Sequence, residues 1–96
     1  MKTINFNEGL LLIGKGAFSY CTALDSIILP NSLKALGIHA FYGCTSLRNV
    51  KLPESLKVVP DAAFMKCGAL TSIELPNSIY KIGSSAFTDV YLEPYN

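Results

Sequence analysis

A few residues in this 96-residue chain belong to types that do chemistry. Gly14-Lys15-Gly16 sets a cation between two glycines, as a phosphate-cradling loop would. That loop needs a Ser or Thr directly after the lysine and a long helix beyond it. Gly16 stands there instead, and the matching residues one repeat later, Gly37-Ile38-His39, read as an ordinary turn. His39 is the only histidine. Its equivalents are Gly16, Ala62 and Ser85, so it occupies a variable turn position and is expected on the surface, with no partner to make it a general base. Cys21, Cys44 and Cys67 include no C-x-x-C pair, and one histidine does not complete a zinc ligand set. Asp25 and Glu74 occupy different repeat positions and form no carboxylate dyad, and no serine sits in G-x-S-x-G. The expectation is a chain that is no enzyme, with no catalytic residues, no cofactor and no metal.

What positions these residues is a repeat, the first thing to seek in any chain. Pro30, Pro53 and Pro76 are spaced 23 residues apart, as are Phe18, Phe41, Phe64 and Phe87, each preceded by alanine. The three cysteines fall at the same interval, with Val90 in the fourth place. Leu24, Leu47 and Leu70 follow, then Ile27, Val50 and Ile73, then Leu29, Leu52 and Leu75. Ile13, Leu36, Val59 and Ile82 complete the unit, which reads L-x-x-I-x-L-P-x-S-L-x-x-I-G-x-x-A-F-x-x-C-x-x.

With its A-F, C and L-P at fixed offsets, this unit resembles the leucine-rich repeat class, and specifically the BspA-like type of bacterial and protozoan surface proteins. The resemblance runs from about Ile4 to Val90. It implies a solenoid, an interaction role, host proteins as partners and no catalytic residues. The fold expected is a right-handed leucine-rich repeat solenoid, mostly β, with short helical or 3₁₀ turns and a parallel sheet on one face. Right-handedness follows from the strong bias of parallel crossovers. Residues 1–96 are read as one domain of about four units, partial at both ends. Single units cannot bury their apolar face alone, and about three are needed for stability.

Each unit is expected to begin with a strand that alternates its faces and ends at proline, which cannot donate to a ladder. Ile27 and Leu29, and their equivalents, turn inward. A second extended piece follows at 10–13, 33–36, 56–59 and 79–82, then a turn at Gly14, Gly37 and Gly83. Pro60 in that turn column argues against a positive φ there, because proline holds φ near −65°. The A-F-x-x-C segment is read as about one helical turn, with the phenylalanines stacked in the core. Equivalent cysteines lie roughly 5 Å apart and point the same way, so buried free thiols are expected rather than a disulfide. After Phe87 two registers are open: Val90 fills the cysteine column, or 89–92 copies Asn49-Val50-Lys51-Leu52 as a closing strand.

Half the residues are hydrophobic, only 16% are charged and the net charge is +1. That balance supplies no footprint for nucleic acid and no polybasic membrane patch. The apolar run Leu10–Ile13 is far too short to span a bilayer. The first residues lack the apolar region of a signal peptide. A surface or secreted location therefore requires a longer parent protein, and a chain complete as given would be cytoplasmic.

Stacked units place equivalent outward residues side by side. Three rows result: Asn5, Ile28, Lys51, Glu74; then Lys2, Asp25, Arg48, Thr71; then Thr3, Ser26, Asn49, Ser72. The candidate protein-binding face is Asp25, Ile28, Arg48, Lys51, Thr71 and Glu74. The function expected is a non-catalytic protein-recognition scaffold, a segment of a cell-surface adhesin. The alternative is a structural module that extends a stalk or self-associates through open solenoid ends. Leu12, Ala35 and Val58 make a further apolar row that ends at Lys81.

Overall fold

The computed structural model describes residues 2–90, leaving aside the side chains of Lys2, Thr3, Asn5 and Ser72. Eight strands follow in chain order: β1 Lys2–Asn5, β2 Leu12–Ile13, β3 Leu24–Ile28, β4 Ala35–Leu36, β5 Asn49–Lys51, β6 Val58–Val59, β7 Ser72–Glu74 and β8 Lys81–Ile82. The odd-numbered strands form a four-stranded parallel sheet in the order β1-β3-β5-β7. β2 pairs with β4, and β6 with β8, also in parallel.

The register keeps the repeat columns together. Thr3 lies opposite Ser26, Ser26 opposite Asn49 and Asn49 opposite Ser72. Asn5, Ile28, Lys51 and Glu74 are likewise successive partners. One expected row is corrected at its start. An irregularity between Lys2 and Thr3 sets Lys2 opposite Leu24 rather than Asp25, because an extra residue in one strand shifts its neighbours along the ladder.

The A-F-x-x-C segment is not helical. Its bonds do run from i to i+3, as in a 3₁₀ turn: Ala17, Ser19 and Cys21 N–H donate to the carbonyls of Gly14, Gly16 and Phe18. Yet the third residue of the first and last of these turns is left-handed, with Gly16 at φ 64° and Tyr20 at φ 60°. That is the requirement of a type II turn, and it breaks any helix. The pattern recurs at His39 and Gly43, at Ala62 and Lys66, and at Ser85 and Asp89. Reversing the chain at every second residue frees alternate N–H groups to point along the stack. Gly16, Phe18 and Tyr20 donate to the carbonyls of Ile38, Ala40 and Tyr42 in the next unit, at 3.0, 2.9 and 2.7 Å. His39, Phe41 and Gly43, then Ala62, Phe64 and Lys66, repeat the step. The segment thus behaves as a third parallel ladder, and that ladder is what holds non-glycine residues at positive φ.

The phenylalanines stack in single file. Ring centroids are 5.4 Å apart for Phe18–Phe41, 5.5 Å for Phe41–Phe64 and 5.8 Å for Phe64–Phe87, with planes within 5° of parallel. Such spacing is that of offset stacked rings. Phe6 closes the amino-terminal end edge-on against Phe18 at 5.7 Å. Ile27, Leu29, Val50 and Leu52 are buried as expected, whereas in the last unit Leu75 and Ile82 are 41% and 49% exposed. Val90 N–H donates to Phe87 C=O as Cys67 N–H does to Phe64 C=O, so Val90 takes the cysteine column. The closing strand read over 89–92 extends outside the described residues.

Candidate protein-binding face and adjoining groups

The six residues singled out for binding all lie on or beside the four-stranded sheet. Ile28 is 60% exposed at the end of β3, and Lys51 and Glu74, at the ends of β5 and β7, are exposed beside it. Thr71, just ahead of β7, is exposed as well. The inward neighbours explain this: Ile27 and Val50 fill the core, and strand alternation sends the next residue out. Arg48 and Asp25 are also drawn together. Arg48 N–H donates to Asp25 C=O at 2.7 Å, and Arg48 Nε lies 3.5 Å from Asp25 Oδ1. That separation makes an ion pair but no aligned hydrogen bond, and Oδ1 is buried without a hydrogen-bond donor. Arg48 itself stays 72% exposed, so the pair contributes no more than about 1 kcal/mol. Among the described residues no ion pair joins Lys51 to Glu74.

The C-terminal ends of these strands open onto a hollow of about 680 Å³. Its lining includes Pro30, Pro53 and Pro76, the carboxylates Glu8 and Glu54, and Ile28, Lys51 and Glu74 of the outward row. The proline that stops each strand also denies the ladder its next donor, and so leaves the trough open.

Other groups adopt structural duties. Gly9 and Gly14 do have the glycine spacing of a phosphate loop, but Gly9 N–H is given to Ser32 Oγ at 2.9 Å and no helix follows Lys15. His39 is half-buried rather than free on the surface, because its ring packs edge-on against Tyr42 at 5.2 Å. Among the described residues no cluster of His, Cys, Asp and Glu could hold a metal ion. The serine of L-P-x-S carries a role the sequence reading missed. Ser32, Ser55 and Ser78 Oγ each donate to a carbonyl of the preceding unit, Leu10, Leu33 and Leu56, at 2.8, 2.5 and 2.8 Å. Its strict recurrence was the available signal.

The three thiols are free, but only Cys44 and Cys67 are buried as expected; Cys21, in the first unit, is partly exposed. Cys44 and Cys67 are fully buried, and their sulfurs donate to the carbonyls of Phe18 and Phe41 at 3.1 Å. The Cys67 thiol is pushed up, first by the neighbouring Cys44 thiol and then by burial. Burial, helped by Cys44, also raises Cys21. Because folding holds Cys67 protonated, its contribution is intact below the free-thiol range and declines as pH rises beyond about 8.5. We expect a thiol reagent to modify Cys21 first in the folded chain, and Cys44 and Cys67 only on unfolding. Urea midpoints should fall above about pH 8.5, and less steeply in Cys67→Ala. Equal native labelling of all three sulfurs would contradict the buried file.

A family model for the BspA type leucine-rich repeat region, in six copies, matches residues 1–96. No curated protein matches the chain. Three solved structures are similar. A T. pallidum leucine-rich repeat protein is 35% identical over 96% of this chain and 43% of its own, with a TM-score of 0.89. A leucine-rich cell surface protein from Faecalibacterium prausnitzii A2-165 is 29% identical over 90% of this chain and 23% of its own, with a TM-score of 0.88. A leucine-rich repeat protein from Bacteroides ovatus ATCC 8483 is 29% identical over 92% of this chain and 25% of its own, with a TM-score of 0.83. The chain therefore spans less than half the length of each.

Proposed function

Since the chain belongs to the BspA-type leucine-rich repeat family, we propose that residues 1–96 are a single non-catalytic module that recognises a protein through the four-stranded sheet. The observation that carries this reading is the exposed row Ile28, Lys51 and Glu74 beside the 680 Å³ hollow. One large apolar side chain with Lys51 beside it and Glu74 one strand further on, on a backbone fixed by hydrogen bonds along both edges of β5, is a preorganised patch with an anchor and a polar rim. The similar F. prausnitzii protein is a cell surface protein, which supports an adhesin setting. The test is site-specific photocrosslinking. A benzophenone side chain placed at Ile28 should capture the partner, one at Lys34 should not, and Ile28→Asp should weaken binding by about tenfold or more. Capture from Lys34 as efficient as from Ile28 would overturn the assignment of the face.

A second reading, a spacer or self-associating module, is favoured by the turn ladder. It passes from unit to unit as far as the N–H groups of Ser85, Phe87 and Asp89, which have no acceptor among the described residues. A further unit in register would continue it. Concentration-dependent size in sedimentation supports this reading; a monomer at all concentrations opposes self-association.

A further inference from the structure

The side-chain cluster that the fold does not require lies in the turn segments, away from the four-stranded sheet. Tyr42 is met edge-on by two rings, Tyr20 at 5.3 Å and 71°, and His39 at 5.2 Å and 73°. Lys66 Nζ stands 5.8 Å from the centre of the Tyr42 ring. Tyr20, Tyr42 and His39 come from three different repeat columns, whose other members include Gly43, Ala62, Met65 and Thr88. The repeat therefore does not dictate this cluster; neighbouring units bring it together.

Two features show that the cluster is held in place. Tyr20 sits at φ 60°, a conformation that bulky residues resist and that glycine adopts at the equivalent Gly43. Its ring lies over Gly43, where an added Cβ would come within 2.7 Å of Tyr20 Cδ1 and 2.9 Å of Cε1. A strained backbone at one position and a missing side chain at another thus seat a ring that remains 65% exposed. Ser19 Oγ pins the segment by donating to His39 C=O at 2.8 Å. The rings border an open hollow of about 470 Å³ together with Lys15, Gly16 and Ser19.

The geometry points to a proline-rich segment with acidic flanks as the ligand of this hollow. Rings set nearly perpendicular make notches rather than one flat floor. The ridges of a polyproline II helix fit notches between aromatic walls, and its preformed shape carries little ordering cost. Its backbone carbonyls make no internal hydrogen bonds, so they are free to accept from tyrosine hydroxyls and from His39. A saccharide would instead favour a single open ring face. A folded protein partner commonly covers about 800 Å² on each side, far more than this hollow presents. Lys15 lines it, Lys66 flanks it and no carboxylate among the described residues lines it, so acidic residues beside the prolines complete the match.

The test uses fluorescence polarisation of a labelled peptide of about eight prolines, with paired glutamates at both ends, on the full chain. The informative variant is Tyr20→Gly, which removes the ring and relieves the left-handed strain together, and its urea midpoint, compared with the parent's, separates lost binding from unfolding. Saturable binding to the parent, weakened about tenfold or more by Tyr20→Gly and also reduced by Lys66→Glu, supports the proposal. It is overturned if Tyr20→Gly binds like the parent, or if a glycine–serine peptide with the same glutamates binds equally, since charge alone would then suffice. Tyr20-dependent binding of heparin without binding of the oligoproline would overturn it in favour of a saccharide site.

Discussion

Replacing Phe41 with alanine is expected to lower stability by about 3–5 kcal/mol. The ring is fully buried and stacked on both faces, against Phe18 at 5.4 Å and Phe64 at 5.5 Å. Its backbone N–H and C=O are tied to Ala63 and to the buried turn that ends at Cys44. The turn therefore has little freedom to collapse into the space left behind, and a cavity that cannot close sets the upper end of the cost. Against a total of about 5–15 kcal/mol, that loss removes from about a fifth to all of the stability. Phe87 provides the comparison, because it is half-buried and has one stacked neighbour among the described rings. Phe87→Ala should shift the urea midpoint distinctly less. If both substitutions produce equal shifts, the continuous ring file is not what unites the units.

The second large effect belongs to a glycine whose importance is steric. Gly37 does not have a positive φ, as Pro60 in its column suggested. What excludes a side chain is the preceding unit: a Cβ on Gly37 would come within 2.5 Å of Gly14 C and 2.6 Å of Lys15 Cα, and would also strike Lys15 N. These are backbone atoms of a packed turn, so no rotamer change relieves the clash. Gly37 N–H meanwhile donates to Ile13 C=O at 2.7 Å, which holds the two units at that distance. Gly37→Ala should cost about 1–3 kcal/mol or more, as overpacking does. Gly14 occupies the same column in the first unit, with nothing within 4 Å of its virtual Cβ. Gly14→Ala should be neutral, or stabilising by about 0.4–1 kcal/mol through the unfolded chain. Chemical denaturation of the pair checks both signs. A Gly37→Ala variant as stable as Gly14→Ala would mean that the units are not held this close.

The contrast between these two glycines shows where the sequence was legible. The repeat column predicts a common role for Gly14, Gly37 and Gly83, and the strand register honours the columns throughout β3, β5 and β7. Whether a Cβ fits depends on what lies in the preceding unit, which a column cannot express. The A-F-x-x-C segment misled for a related reason. Bonds from i to i+3 are common to 3₁₀ helices and to chained type II turns, and only the sign of φ at the third residue separates them. Gly16 and Gly43 hinted at that sign, but Tyr20, His39 and Lys66 in the same two columns concealed it.

The sequence by itself determined which residues share a column, hence the parallel sheet, the file of phenylalanines, the buried thiols and the outward row Ile28, Lys51 and Glu74. It could do so because a fixed period makes equivalent residues neighbours whatever the local geometry. Only the tertiary structure decided which units meet through bare backbone, that alternate turn N–H groups reach sideways instead of closing a helix, and that Tyr20, Tyr42 and His39 converge. Those outcomes depend on the distance and rotation between neighbouring units, which the summed packing of all the columns sets and no single position specifies.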